Sequence, residues 1–279
     1  MITPGSVSVV VWPASDEVFA SSTKVGVTGA RTGSGAGAGA SGSVNRRRER
    51  NKEPPGRWKG PGTIPPIPAR SCRPPADVLP GRVAGPPRVV LFDLDGVLRR
   101  FDPGSERDVE ERYGLPPGLL RWHAFDPAHA DDAVRGVVTR AEWIARAGAA
   151  LGHPEAMAAF LGLRGTVDAD VLAVARAVRS RGTAVGLLTN ATDTLPEELA
   201  HLGLSTEFDA VLASCTLGAI KPEPAIYARA TAALGLAPGD VAFVDDQPAY
   251  VAAAVAAGWR AHRYTAAADL RAWLASISD

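Results

Sequence analysis

The stretch Val89-Val90-Leu91-Phe92-Asp93-Leu94-Asp95-Gly96-Val97-Leu98 decides the fold. Four apolar residues, two of them β-branched, suit a strand packed on both faces. Two carboxylates follow one residue apart, and then a glycine able to turn the chain. Side chains at i and i+2 of an extended chain point the same way, so Asp93 and Asp95 project together from the strand's end. Like charges held so close call for a cation, a shared proton or a chemical task. A surface turn is the competing reading, because Asp and Gly are common turn residues.

Downstream the pattern alternates. A helix capped by Asp168 or Asp170 runs to Arg181, with Val171, Leu172, Val174, Ala175 and Val178 spaced along one face. Strands are expected at Ala184–Leu188, Ala210–Ala213, Val241–Val244 and Ala261–Tyr264. Between and after them lie helices at Leu195–Leu202, Pro224–Leu234, Tyr250–Ala257 and Ala267–Ile277. Alternation of this kind predicts an α/β fold, a doubly wound parallel sheet covered on both faces. Ligands of such sheets sit beyond the carboxyl ends of the strands. Asp93 and Asp95, Thr189 and Asn190, and Asp245 and Asp246 all fall there, and Lys221 lies in a loop opening onto the same edge. Any one could be a cap or a turn residue, but capping alone does not place all of them on one rim.

Between the first strand and residue 168 the sequence is rich in helix signals and poor in strands, as an insertion beside the sheet would be. Short helices are expected at Asp108–Tyr113 and Gly118–Phe125. A Thr139-x-x-Glu142 capping box opens a helix reaching Leu151, and Met157–Leu161 is a further helical piece. Arg121, Trp122 and His123 are candidate substrate contacts, although Trp122 and Trp143 read as core packing. Cys215 reads as a small buried residue.

Residues 1–85 have a different texture, with 13 Gly and 11 Pro, a low-complexity composition expected to remain without a packed core. Gly33–Gly39 alternates glycine with small residues but lacks the strand and helix a dinucleotide loop requires, and reads as linker. One explanation of the change near Gly85 is that translation of the native gene begins within this segment. N-terminal sequencing tests it. The chain carries 30 basic and 30 acidic residues, unevenly placed: 12 against 5 up to residue 85, and 18 against 25 beyond. A mildly acidic globular part argues against nucleic acid as the main ligand. Two distant cysteines, Cys72 and Cys215, offer neither a disulfide framework nor a metal cluster and suit a reducing, cytoplasmic setting. No apolar run approaches the roughly 18 residues that span a bilayer.

Four carboxylates at one edge suit a hard cation such as Mg²⁺, which keeps water and leaves room for a phosphate. Lys221 and the Thr189 hydroxyl add donors for an anion. A lysine near a helix start is poorly placed unless an anion awaits it. Together these point to phosphoryl chemistry on a small phosphorylated metabolite.

In order and spacing the set resembles the haloacid dehalogenase-like (HAD) hydrolase superfamily. Asp93-Leu94-Asp95-Gly96-Val97 resembles its first motif, Leu187-Leu188-Thr189-Asn190 its second, Lys221-Pro222 its third and Val244-Asp245-Asp246 its fourth. The resemblance covers Arg88 to the C-terminus. It implies a Rossmann-like core, residues 86–99 and 169–279, with an inserted helical cap over about 100–168. It also implies that Asp93 is the nucleophile and Asp95 the general acid and then base. Thr189, Asn190 and Lys221 would hold the phosphoryl group. Mg²⁺ would be bound by Asp93, the Asp95 main-chain carbonyl and the Asp245/Asp246 pair, unranked. Members that cleave carbon–halogen bonds lack an acid at the position of Asp95, so the resemblance implies a phosphatase. A phosphomutase and a non-catalytic binding protein of the same fold are the alternatives. Many relatives have Asn after the acidic pair where this chain has Pro248-Ala249-Tyr250. The oligomeric state is not legible.

Overall fold

The computed structural model describes residues 85–278, so the readings made for the amino-terminal segment lie outside it, apart from its last residue. Five parallel strands form one sheet: β1 (Val89–Phe92), β4 (Ala184–Thr189), β5 (Ala210–Ala213), β6 (Val241–Asp245) and β7 (Arg260–Arg263), in the order β5-β4-β1-β6-β7. β1 lies at the centre, with Val90 beside Val185 on one side and Ala242 on the other. Because β4–β5 and β6–β7 extend to opposite sides of β1, loops diverge at its carboxyl end, where such sheets hold ligands.

Alternation along β1 feeds two cores. Val90 and Phe92 face one, closed by α6 (Ala169–Ser180), α7 (Leu195–His201) and α11 (Ala267–Ser276). Val89 and Leu91 face the other, against α9 (Pro224–Leu234) and α10 (Pro248–Ala256). All four β1 side chains are buried, as a strand packed on both faces requires. Gly186 on β4 leaves room for its neighbours: a Cβ there would lie 2.8 Å from both the Ala210 carbonyl and Leu91. Asp168 caps α6, accepting from the amides of Asp170 (3.1 Å) and Val171 (3.2 Å).

A short antiparallel pair, β2 (Arg99–Arg100) and β3 (Thr166–Val167), carries the chain out of and back into the sheet layer. Between them five helices build a third core: α1 (Pro103–Arg112), α2 (Leu119–Ala124), α3 (Pro127–Val134), α4 (Arg140–Leu151) and α5 (Pro154–Leu161). The Thr139/Glu142 capping box is formed. Trp143 is buried and donates from Nε1 to the Ala124 carbonyl at 3.1 Å. Within α4, Gly148 lets α5 approach, since a Cβ would lie 2.7 Å from Pro154 Cα.

Several local readings need correction. The first helix of the insertion starts at Pro103, not Asp108, with Asp102 as its cap. α3 was not anticipated, although it opens on the same Asp-Pro pair, Asp126-Pro127. β2, β3 and the short α8 (Ser214–Leu217) were not anticipated either. The last strand begins at Arg260 rather than Ala261. Trp122 is 69% exposed rather than packed in the core. Leu120 and Ala124 are the buried face of six-residue α2, and Trp122 falls two residues, about 200°, from each. Among the described residues no helix is long and apolar enough to cross a membrane.

Candidate active site

The end of β1 is pinned before it turns: the Asp93 amide donates to the Val244 carbonyl on β6 at 2.9 Å. Asp93 Oδ1 then accepts from the Leu94 amide at 2.7 Å, fixing the carboxylate against its own turn. Gly96 completes that turn with φ of 87°. A Cβ there would also come within 2.7 Å of the Asp246 carboxyl carbon, so glycine is needed for both backbone and space.

Lys221 anchors the centre of the site. Its side chain is 1% exposed, and Nζ lies 2.9 Å from Asp93 Oδ1 and 2.6 Å from Asp245 Oδ2. The ammonium also lies 5.0 Å from the ring centroid of Tyr250 and 5.4 Å from that of Phe243. Tyr250 therefore borders the site. Asn190 holds the loop carrying Lys221 through a reciprocal pair. Its Nδ2 donates to the Lys221 carbonyl at 3.1 Å, and the Lys221 amide donates to its Oδ1 at 2.8 Å. Burial opposes the Lys221 charge, but Asp93 and Asp245 outweigh it and hold its pKa above the ordinary lysine value. Burial, reinforced by Asp93 and opposed by Lys221, raises the Asp245 pKa to about 6.

Asp93, Asp245 and Asp246 each offer a carboxylate oxygen, all within 4.8 Å of one another. The Gln247 amide donates to Asp245 Oδ1 at 2.8 Å, and Gln247 Nε2 to Asp246 Oδ2 at 2.8 Å, which orients the pair. This all-oxygen trio fits a hard divalent cation of the Mg²⁺ class. The carboxylate of Asp95 is not part of it. It turns instead toward the cleft and Arg99, whose Nε and Nη2 bind its two oxygens at 2.5 and 3.0 Å. Arg99 in turn donates to Glu198 of α7 at 2.6 Å. Burial raises the Asp95 pKa, with Arg99 opposing it, even though nearly half the side chain opens to the cleft.

That cleft, about 660 Å³, lies between the carboxyl end of the sheet and the helical insertion. Thr189, buried at the end of β4, and Asn190 border it on one side, and Arg121 of α2 on the other. Thus Asp93, Asp245, Asp246 and Lys221 converge, Asp95, Thr189 and Asn190 surround the adjoining cleft, and Trp122 and His123 do not line it. The sequence reading missed Arg99, Glu198 and Arg140, which joins Glu198 at 3.6 Å from α4. Nothing local marks any of the three: Asp95 and Arg99 are joined by a turn, where an i, i+4 spacing carries no pairing signal.

The model of the haloacid dehalogenase-like hydrolase family matches residues 87–258. A phosphatase of Mycobacterium tuberculosis is 31% identical over 189 residues, covering 62% of this chain and 85% of the relative. The Phosphoglycolate phosphatase of Rhodospirillum rubrum is 31% identical over 195 residues, covering 62% and 77%. Bifunctional epoxide hydrolase 2 of Rattus norvegicus is 29% identical over 189 residues, 57% of this chain, which spans only a third of that longer protein (33%). Among solved structures, a HAD-like family hydrolase from Porphyromonas gingivalis superposes with a TM-score of 0.53 at 25% identity, covering 63% and 90%. A Bacteroides thetaiotaomicron HAD family enzyme, solved with magnesium and inorganic phosphate, gives 0.55 at 20% identity, covering 64% of this chain and 95% of that one, a likeness of fold.

Proposed function

The chain belongs to the haloacid dehalogenase-like hydrolase family, and from that premise we propose that it is a Mg²⁺-dependent phosphatase of small phosphate monoesters. One observation carries this reading above others: the two aspartates of a single turn occupy different environments. Asp93 belongs to the acidic trio and pairs with Lys221, whereas Asp95 stands outside the trio, held by Arg99 at the floor of the open cleft. A displacement at phosphorus needs that division, a fixed nucleophile and a separate proton donor.

In the first step an Asp93 oxygen bonds to phosphorus as the ester oxygen leaves, and protonated Asp95 gives that oxygen its proton, releasing the alcohol. The raised pKa of Asp95 is the direction a proton donor requires. In the second step Asp95, now ionised, takes a proton from a water whose oxygen bonds to phosphorus. The bond between phosphorus and the Asp93 oxygen breaks, phosphate departs and the Asp93 carboxylate is regenerated. Lys221 neutralises charge around Asp93 throughout, and Thr189 and Asn190 border the space for the phosphoryl oxygens. A Mg²⁺ held by Asp93, Asp245 and Asp246 would supply further neutralisation of those oxygens.

Cleavage of a carbon–halogen bond expels a halide that needs no proton, so it gives Asp95 no task as a proton donor to the leaving group. Transfer of the phosphoryl group to a second substrate oxygen would use the same residues and differs in releasing no phosphate. The test is phosphate release from p-nitrophenyl phosphate and a panel of small phosphorylated metabolites with Mg²⁺, alongside Asp93→Asn. We expect release that depends on Asp93 and a phosphorylated species in Asp95→Asn by intact mass. Equal turnover by wild type and Asp93→Asn would refute the reading.

A further inference from the structure

Resting on the phosphatase reading, the charges and exposed surface of the cleft also specify the leaving group. Four guanidiniums border the cleft, and each already has a carboxylate. Arg99 binds Asp95 and Glu198, and Arg100 binds Asp168 at 2.7 Å. Arg121 grips both oxygens of Glu106. Arg140 lies 3.6 Å from Glu198 and also donates to the Leu161 carbonyl. A second anionic group on the substrate would meet guanidiniums whose charge these carboxylates already offset, and would have to compete with them.

The apolar wall is differently disposed. Phe125 is 51% exposed, and of the four large hydrophobic side chains exposed among the described residues it alone lines the cleft. It is held from behind by Trp143 (centroids 5.9 Å apart) and Phe160 (6.4 Å), and Arg121 lies 5.5 Å from its ring centroid. Although Arg121 lies over part of it, this backed and half-exposed ring still offers apolar surface in a cleft much larger than a phosphate group, suited to packing an apolar or aromatic body. We infer that the substrates are phosphate monoesters of uncharged, apolar or aromatic alcohols, packed against Phe125, rather than esters whose alcohol carries a carboxylate or second phosphate.

The full chain with Mg²⁺ is to be assayed on benzyl phosphate and phosphoglycolate, small monoesters whose leaving groups differ in charge, with p-nitrophenyl phosphate as general reporter. The expected wild-type kcat/KM for benzyl phosphate is at least about tenfold the higher, the scale on which apolar pockets discriminate. Phe125→Ala should raise KM for benzyl phosphate roughly tenfold and so collapse that ratio. Glu106→Gln releases Arg121 from its partner and should raise kcat/KM for phosphoglycolate by about fivefold or more, as a freed guanidinium binds carboxylate. A wild-type preference for phosphoglycolate, or loss of both esters by one factor in Phe125→Ala, overturns the substrate class while p-nitrophenyl phosphate is still turned over. No Asp93-dependent turnover of any of the three esters overturns the phosphatase reading itself.

Discussion

Replacing Lys221 with Met tests the electrostatic centre of the site without opening a hole, because the thioether chain fills most of the space of the lysine stem. The ammonium touches Asp93 at 2.9 Å and Asp245 at 2.6 Å and has almost no contact with solvent. Unit charges about 3 Å apart at an effective dielectric of about 20 attract with roughly 6 kcal/mol each before desolvation. Burying the ammonium takes much of that back. Its removal nevertheless leaves two carboxylates facing one another without a counter-charge, and breaking a buried pair from one side costs about 3–5 kcal/mol. Against a domain stability of about 5–15 kcal/mol, such a loss is plain in urea unfolding followed by circular dichroism.

The pH dependence has a definite sign. Asp245 already has a pKa of about 6 in the folded chain, above its unfolded value. The native state therefore retains a proton that the unfolded chain has released, and Asp245 contributes stability at low pH that is lost as pH rises through about 6. Without Lys221 the folded pKa rises further, since the lysine is what lowers it. The deficit of Lys221→Met, measured with chelator, should be about 3–5 kcal/mol at pH 7.5 and clearly smaller at pH 5. Saturating Mg²⁺ should also narrow it, by stabilising the charged trio in the native state alone. A deficit under about 1 kcal/mol at pH 7.5, or one unchanged at pH 5, refutes the reasoning.

Arg99→Met removes the groups that hold Asp95 and lower its pKa. Because the proposed donor must be protonated, the alkaline fall of kcat/KM should move to higher pH, and with its carboxyl no longer positioned by Arg99 a poor alkyl leaving group should lose about tenfold more than p-nitrophenol; equal loss on both esters would contradict it. Asp168→Ala should cost about 1 kcal/mol at pH 7 from the lost α6 cap, with little added by its solvent-exposed partner Arg100. The folded pKa of Asp168 is lowered, with burial opposing and Arg100 and the cap amides prevailing. The wild-type advantage should therefore shrink as pH falls below about 4 in urea titrations. Gly96→Ala should impair Mg²⁺ binding, read by calorimetry, because both its φ of 87° and the nearby Asp246 carboxylate must adjust; unchanged affinity would show that the turn has slack.

The sheet was legible because β1, β4 and β6 are buried on both sides and so carry runs of apolar residues, each ending in the polar residues that the topology brings to one rim. The insertion was less legible because its helices are short and held by contacts distant in sequence. Glu110, buried on α1, accepts from the amides of Gly118 and Leu120 and so starts α2, a cap that no local pattern encodes. The same distinction separates the site residues that were anticipated from those that were missed. Asp93, Asp95, Asp245 and Asp246 sit beside strands, where residue type and position imply one another. Glu198 looks like an ordinary acidic residue in the first turns of a surface helix. It acquires significance only because the chain folds Arg99 from β2 and Arg140 from α4 onto it. That carboxylate links the side chain holding Asp95 to α4, which borders the cleft with Arg140 and Trp143, so the proposed proton donor and one wall of the cleft share one network of charges. Sequence pattern exposes residues placed by their own element; the geometry of three elements is needed to expose one that joins them.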